Sequence, residues 1–368
     1  KFENNFKKKY KSKYSIAVGS GTDALLISIM ALGIKKGDEI ITAANTAIPT
    51  ISAIINSGAK PILVDVKDDY LIDPIKIEKS ITKKTRALIP VHLYGKSCDM
   101  DKILKIAKKY KLKVLEDCAQ CFFAYDSKKR ISGTVGDVGS WSLESSKHIS
   151  SSEGGILTTN NKSLALKMRK FGGLGFTNIT ANSGKVRIDK NKFQNPNWKR
   201  HNEFGFNYRM SELCAAVALA QTEKLEHFVK KRKESGKEFF KLLNKKNNTL
   251  LTPQKLPKNY IHSYYTFAAL FNGKKRGITW SNFRKKFLSF GGDGIYSAWQ
   301  TVNNEPCFYN ARTKGLYSGS MKISDSYGWG ETPVAVKLQK NIMQFTTNQK
   351  NKIEIKKKII SLKKTIDF

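Results

Sequence analysis

The sequence predicts an α/β protein: a large N-terminal domain built on a mainly parallel sheet, followed by a smaller α+β domain. Three observations predict this. From Tyr14 onward, short β-rich runs alternate with segments whose apolar residues recur at helical spacing. Helical patterns at 21–34, 46–58, 100–111 and 163–173 lie between and around these runs, and strands alternating with helices of this length argue for right-handed βαβ units and a largely parallel sheet. The alternation ends near residue 240, and sparser strand and helix signals follow. At 368 residues the chain can form two domains, placed at 1–235 and 236–368.

The first residues, "KFENNFKKKYKSKY", carry lysines without a following apolar stretch, which argues against a secretory signal. The chain begins without an initiator Met, which leaves room for a longer natural N-terminus. "GTDALLISIMALGI" (21–34) has helical spacing, "EIITAA" (39–44) reads as a strand, and "TAIPTISAIINSG" (46–58) as a helix. Strands "PILVDV" (61–66) and "ALIPVH" (87–92) precede the helix "MDKILKIAKKYK" (100–111). "KVLEDC" (113–118), "VGSWSL" (138–143) and "GILTT" (155–159) are strands, and "SLALKMRKFGG" (163–173) is a helix. The polar stretch 176–205 reads as a long loop, of a length that is usually functional or disordered. Residues 211–243 form one long helical pattern able to bridge two domains. The strand "TFAALF" (266–271), a basic helix near 281–289 and a C-terminal helix (350–363) complete the chain.

Composition narrows the function. The 40% hydrophobic and 11% aromatic content is that of a folded protein, and no run of about 20 apolar residues is available to span a membrane. A net charge of +36 raises nucleic-acid binding, but ten of the 66 basic residues are Arg and no zinc-finger, helix-turn-helix or RNA-recognition signature is present. The charge is better read as a solvated lysine surface, with a real attraction for anions, phosphorylated small molecules among them, as the alternative. Five cysteines, odd in number and widely spaced, suggest reduced thiols in a cytoplasmic protein. Cys118 and Cys121 form a C-x-x-C without the second pair that a zinc site needs.

Several short motifs sit at strand ends, where open α/β sheets bind ligands. "VGSGTDALL" (18–26) puts small residues before a helix, so free N–H groups and the helix dipole can hold an anion; a plain turn is the commoner meaning of such glycines. "KVLEDCAQ" ends a strand on Glu116 and Asp117, either solvated carboxylates or, for Asp117, the partner of a buried heteroaromatic nitrogen. "WSLESSKHISSSEGGIL" (141–157) brings out Lys147 among residues too small to cover it. A surface-loop lysine is the plain alternative. In order along the chain, an anion site, a strand-end aspartate and a lysine suit pyridoxal phosphate, whose aldehyde condenses with a lysine amine.

Together with "GDEII", "PVHLYG" and "HNEFGFNYRMSELCAAVALAQ", these motifs resemble the sugar-nucleotide aminotransferases of the DegT/DnrJ type. The resemblance implies an aspartate-aminotransferase-like fold (fold type I) and a pyridoxal 5'-phosphate cofactor that passes through pyridoxamine 5'-phosphate. By it, Lys147 is the Schiff-base and proton-transfer lysine, Asp117 pairs with the ring nitrogen and Gln120 lies near the ring hydroxyl. Gly21, Thr22 and Ser142 hold the phosphate. Asn207 reaches the phosphate from a neighbouring subunit, which implies a homodimer with its active site at the interface, and His201 lies on the substrate side.

The implied reaction moves an amino group from glutamate to a keto-sugar nucleotide, with positive charge around the mouth aiding the diphosphate. A non-catalytic member of the fold, or a pyridoxamine-phosphate-dependent dehydratase, are the alternatives. Dehydratases of the family carry histidine in place of the lysine, so Lys147 argues against the latter. Ala47 stands where the family usually stacks an aromatic ring on the cofactor, and "GGDGIYSAWQTVNNEPCFY" (291–309) resembles a segment at the substrate mouth.

Overall fold

The computed structural model describes residues 1–184, 190–245, 248–314 and 331–368. Seven strands form the larger sheet: β1 Tyr14–Val18, β2 Glu39–Ala43, β3 Lys60–Val64, β4 Thr85–Ile89, β5 Lys113–Asp117, β6 Val138–Ser142 and β7 Gly155–Thr159, in the order β1-β7-β6-β5-β4-β2-β3. β7 pairs antiparallel with both neighbours, and every other pairing is parallel. Two reversals at β7 cancel, so β1 runs with β6, and the carboxyl ends of β1, β2, β5 and β6 share one edge. The strands are buried nearly throughout, as expected of a sheet covered by helices on both faces.

A second, antiparallel sheet has the order β10-β11-β9-β8, with β8 Leu251–Pro253, β9 Thr266–Phe271, β10 Ile295–Ser297 and β11 Ile342–Thr346. Phe239, Phe267, Phe287 and Phe345 form its core with the C-terminal helix Lys352–Asp367. Asp65, just past β3, accepts from the N–H groups of Val334 (2.9 Å) and Ala335 (2.8 Å) and so caps the helix Pro333–Gln339. The N–H of Val302 donates to the carbonyl of Ala44 (3.0 Å), tying the segment after β10 to the end of β2.

The sequence reading and the structure differ in informative places. The lysine-rich start is a helix, Phe2–Tyr10, whose Phe2, Phe6 and Tyr10 fall on one face at i, i+4 spacing and are buried. Tyr10 stacks on Phe6 (4.4 Å) and Phe123 (4.9 Å) and meets Trp141 edge-on (4.7 Å), backing β6. The long pattern 211–243 is two helices, Glu212–Glu223 and Leu225–Leu243, divided at Lys224. β1, β8, β10 and β11 add strands to those read from the sequence. The boundary set at 235/236 falls within the helix Leu225–Leu243, and Ala268 and Val302 beyond it share a hydrophobic cluster with the large sheet.

Candidate active site

A cavity of about 490 Å³ opens along that shared strand edge. Gly21, Thr22, Asp117, Gln120, Ser142 and Lys147 all line it. Six sequence-predicted residues, spread over more than 120 positions, thus meet in one place.

The anion end is built by close approach. Ser20 caps the helix Gly21–Ala31 by accepting from the N–H of Asp23 (3.0 Å), and its carbonyl takes the N–H of Ala24. The amides of Gly21 and Thr22 are left without an acceptor among the described residues, at the positive end of the helix dipole. A Cβ on Gly21 would lie 2.8 Å from Cβ of Ser142, so glycine is what lets the helix start rest on the end of β6. Gly155 has a related role: a Cβ there would sit 2.2 Å from the carbonyl oxygen of Ser20. The glycines after Lys147 therefore serve backbone packing as well as space around the lysine. The hydroxyl of Ser142 accepts weakly from the N–H of Glu144 (3.3 Å) and keeps its proton for an anion.

Glu116 and Asp117 point to opposite faces of β5, as strand geometry requires, and are both buried, in contrasting surroundings. Glu116 takes His92 Nε2 (3.0 Å) and the N–H groups of Gly133, Val135 and Gly136. Burial raises its carboxyl, but these bonds outweigh that and hold it below the usual range. His92 Nδ1 accepts from the N–H of Cys98, so in the neutral ring Nε2 carries the proton and donates to Glu116. His92, Glu116 and Cys118 lie close enough together to suggest a metal site, yet the first two already satisfy each other, and burial raises the Cys118 thiol well above its ordinary value.

Asp117 faces the cavity. It accepts from the Thr50 hydroxyl (2.9 Å) and the N–H of Ala119 (3.1 Å). Burial raises its carboxyl, and those two bonds and the charge of Lys147 offset only part of the shift. A buried carboxylate short of positive charge, at a cavity wall, matches what a protonated ring nitrogen requires. Gln120 accepts the N–H of Tyr94 through Oε1 (2.8 Å), leaving Nε2 as the end able to donate into the cavity. Acceptor-free amides, a free hydroxyl proton, an undercompensated carboxylate and a lysine fit pyridoxal phosphate.

Lys147 lies on the loop after β6, and its side chain is 12% exposed. The buried guanidinium of Arg232 reaches its carbonyl (3.4 Å). His148, next to it, is buried against Phe122, with burial and then Arg232 pushing it well below its ordinary value, so it stays neutral.

Asn207 and His201 do not line this chain's cavity. Asn207 is exposed and bridges Gly173 in antiparallel fashion; His201 is exposed, packs on Phe176 (4.2 Å) and approaches the carbonyl of Leu174 (2.7 Å). Among the described residues, the cavity wall does not carry the positive charge expected around the mouth. Lys147 is its single basic residue, against Asp117, Glu144, Glu153 and Glu305, among the described residues. Net charge is a property of the whole surface, and it did not foretell one wall. Sequence reasoning passed over Thr50 and Glu144, which line the cavity. Ala47 lines it too, and the aromatic residues present are Trp141 and Trp299. Trp299 and Cys307 line it as well, and both belong to the 291–309 segment that the resemblance placed at the substrate mouth; which of its residues reach the wall is set by its return to the end of β2.

The profile of the DegT/DnrJ/EryC1/StrS aminotransferase family matches residues 1–310. GDP-perosamine synthase of Escherichia coli O157:H7 is 33% identical over 89% of this chain and 82% of its own. The crystal structure of an aminotransferase from Psychrobacter cryohalolentis superposes with a TM-score of 0.85 at 28% identity, over 100% of this chain and 90% of that one. NtdA from Bacillus subtilis, crystallised with pyridoxamine phosphate, superposes with a TM-score of 0.79 at 27% identity, over 100% of this chain and 76% of that one.

Proposed function

The chain belongs to the DegT/DnrJ/EryC1/StrS aminotransferase family, and from that premise we infer a pyridoxal-phosphate-dependent transaminase of amino-sugar biosynthesis, with a keto-sugar nucleotide as acceptor and glutamate as donor. The observation that carries it is the meeting of Lys147, Asp117 and the Gly21–Thr22 amides in one cavity. GDP-perosamine synthase is among its relatives, and so is a dTDP-3-amino-3,6-dideoxy-α-D-galactopyranose transaminase, 40% identical over 63% of the chain. Among the described residues, no helix is long and apolar enough to cross a membrane.

When bound, pyridoxal phosphate supplies an aldehyde that carries the amino group and a ring that delocalises the electron pair left by a broken C–H bond. The protein's groups do the rest. The Gly21 and Thr22 amides and the Ser142 hydroxyl hold the phosphate dianion at the helix start. Asp117 keeps a proton on the ring nitrogen, which stabilises the negative charge that develops on the reacting carbon. Lys147 Nζ takes the proton from the donor's α-carbon, then delivers a proton to the sugar carbon that receives nitrogen. Gln120 Nε2 donates to the ring hydroxyl.

The active unit is a homodimer of chains divided at about residue 235, with Asn207 and His201 completing the partner's cavity. Two features support this. Phe204 is fully exposed and Leu213 is 83% exposed, three and six residues from Asn207 in the chain, apolar surface that a partner subunit would cover. Among the described residues, the cavity wall also offers one basic side chain, Lys147, to a diphosphate, so a partner's contribution would be needed. Incubation with a panel of keto-sugar nucleotides and glutamate, read by mass, tests the reading. Formation of one amino sugar supports it, and no product from any of them refutes it.

A further inference from the structure

Lys147 is approached from across the chain by a residue that plays no part in the mechanism above. Tyr265 immediately precedes β9 of the smaller sheet, and its ring centroid lies 5.2 Å from Lys147 Nζ. The phenol oxygen is 3.0 Å from Ser146 Oγ. Ser146 spends its one hydroxyl proton on Glu144 Oε2 (2.6 Å), so the Tyr265 hydroxyl is the donor in their contact. Glu144 Oε2 in turn lies 4.0 Å from Lys147 Nζ. The amine is thus flanked by an aromatic face and by a carboxylate that the same tyrosine helps to orient.

One buried side chain sets this geometry. Arg232, on the helix Leu225–Leu243, donates through Nη1 to the carbonyl of Tyr265 (2.8 Å) and to Thr347 Oγ1 (3.1 Å), and through Nη2 to the carbonyl of Lys147 (3.4 Å). A single planar guanidinium therefore holds both backbones, and with them the separation between ring and amine. The other ionisable groups around Lys147 are Asp117 and Glu153 on the cavity wall and the neutral His148.

We propose that Tyr265 is a positioning residue for Lys147: its ring face, with Glu144 held through Ser146, is the resting place of the amine whenever Lys147 is not bonded to the cofactor. A cation is drawn to an aromatic face by the ring quadrupole, and the effect strengthens where water is sparse. The site thereby gains a defined starting point for proton transfer, set from the smaller sheet. The inference adds to the transaminase reading, but its first test needs no cofactor or substrate.

The apoprotein is treated with a limiting amine-reactive reagent, and labelling of Lys147 relative to the other lysines is followed by peptide mass. Tyr265→Met keeps bulk without the π face, and Lys147 is expected to label about three- to fivefold faster than in the wild type. Tyr265→Phe keeps the face and stays within twofold. Glu144→Gln, on the partly exposed loop, speeds labelling about two- to threefold and stands in should the Met variant fail to fold. In the loaded enzyme, Tyr265→Met lowers kcat about tenfold with KM within twofold, and the isotope effect from α-deuterated donor rises; Tyr265→Phe restores both. Wild-type labelling in the Met and Gln variants, or a Phe variant that matches Met, overturns the assignment. Because labelling is read without turnover, its failure is distinct from failure of the transaminase reading.

Discussion

Replacing Asp117 with Asn should have opposite effects on the empty and the loaded protein. Asn is nearly isosteric: Oδ1 still accepts from the N–H of Ala119, and Nδ2 can donate to Thr50 Oγ1. Thr50 can reverse because Thr46 Oγ1, 2.8 Å away, accepts its proton. What disappears is the charge. Burial raises the Asp117 carboxyl above its unfolded value, so its protonation favours folding at low pH, and that contribution is lost as pH rises through the raised folded value. At neutral pH the apoprotein of Asp117→Asn is therefore at least as stable as the wild type. If the carboxylate faces a cationic ring nitrogen in the loaded protein, removing one partner of that buried pair costs about 3–5 kcal/mol, or roughly 10²- to 10⁴-fold in cofactor affinity. Thermal melts of the apoprotein between pH 6 and 8 and titration with pyridoxal phosphate by visible absorbance measure the two effects. A variant that binds the cofactor as tightly as the wild type, or whose apoprotein melts well below it at pH 7, refutes the role given to this carboxylate.

Other outcomes follow from the same geometry. Lys147→Ala should lower kcat by about 10³-fold or more and abolish covalent fixation of the cofactor by borohydride, read by peptide mass. Gly21→Ala pushes the helix start off Ser142 and should weaken cofactor binding about tenfold, seen in the same absorbance titration, and lower apoprotein stability by about 1–3 kcal/mol. Phe6→Ala empties part of the aromatic plug behind β6 and should cost about 3–5 kcal/mol in chemical denaturation. Mixed Lys147→Ala and Asn207→Ala chains, each inactive alone, should recover up to about a quarter of wild-type activity, because half the randomly formed dimers hold one intact site; no recovery removes Asn207 from the partner's cavity.

Much of the large domain was legible because its strands and helices obey local periodicity and its site motifs are contiguous. Lys147, Asp117 and Ser142 each sit at or just after an apolar strand run, and strand ends are where such sheets place their ligands. The N-terminal helix was missed for a local reason: its lysines masked an i, i+4 aromatic stripe that was present in the letters. β11 was missed because a five-residue run, "IMQFT", has little signal of its own and gains its stability from pairing with β9.

The lysine, the carboxylate and the helix start that meet in one cavity were legible as residue types at strand ends, since each keeps its character wherever the chain carries it. Contacts between distant segments were decided by packing alone. Arg232 joins the backbones of Lys147 and Tyr265, Asp65 caps a helix some 270 residues later, Trp299 returns to the cavity that Ala47 also lines, and the described residues of that wall are mostly acidic in a +36 chain. Such pairings are set by the closure of long loops around a buried sheet, a balance of entropy and burial over the whole chain that no short stretch of sequence encodes.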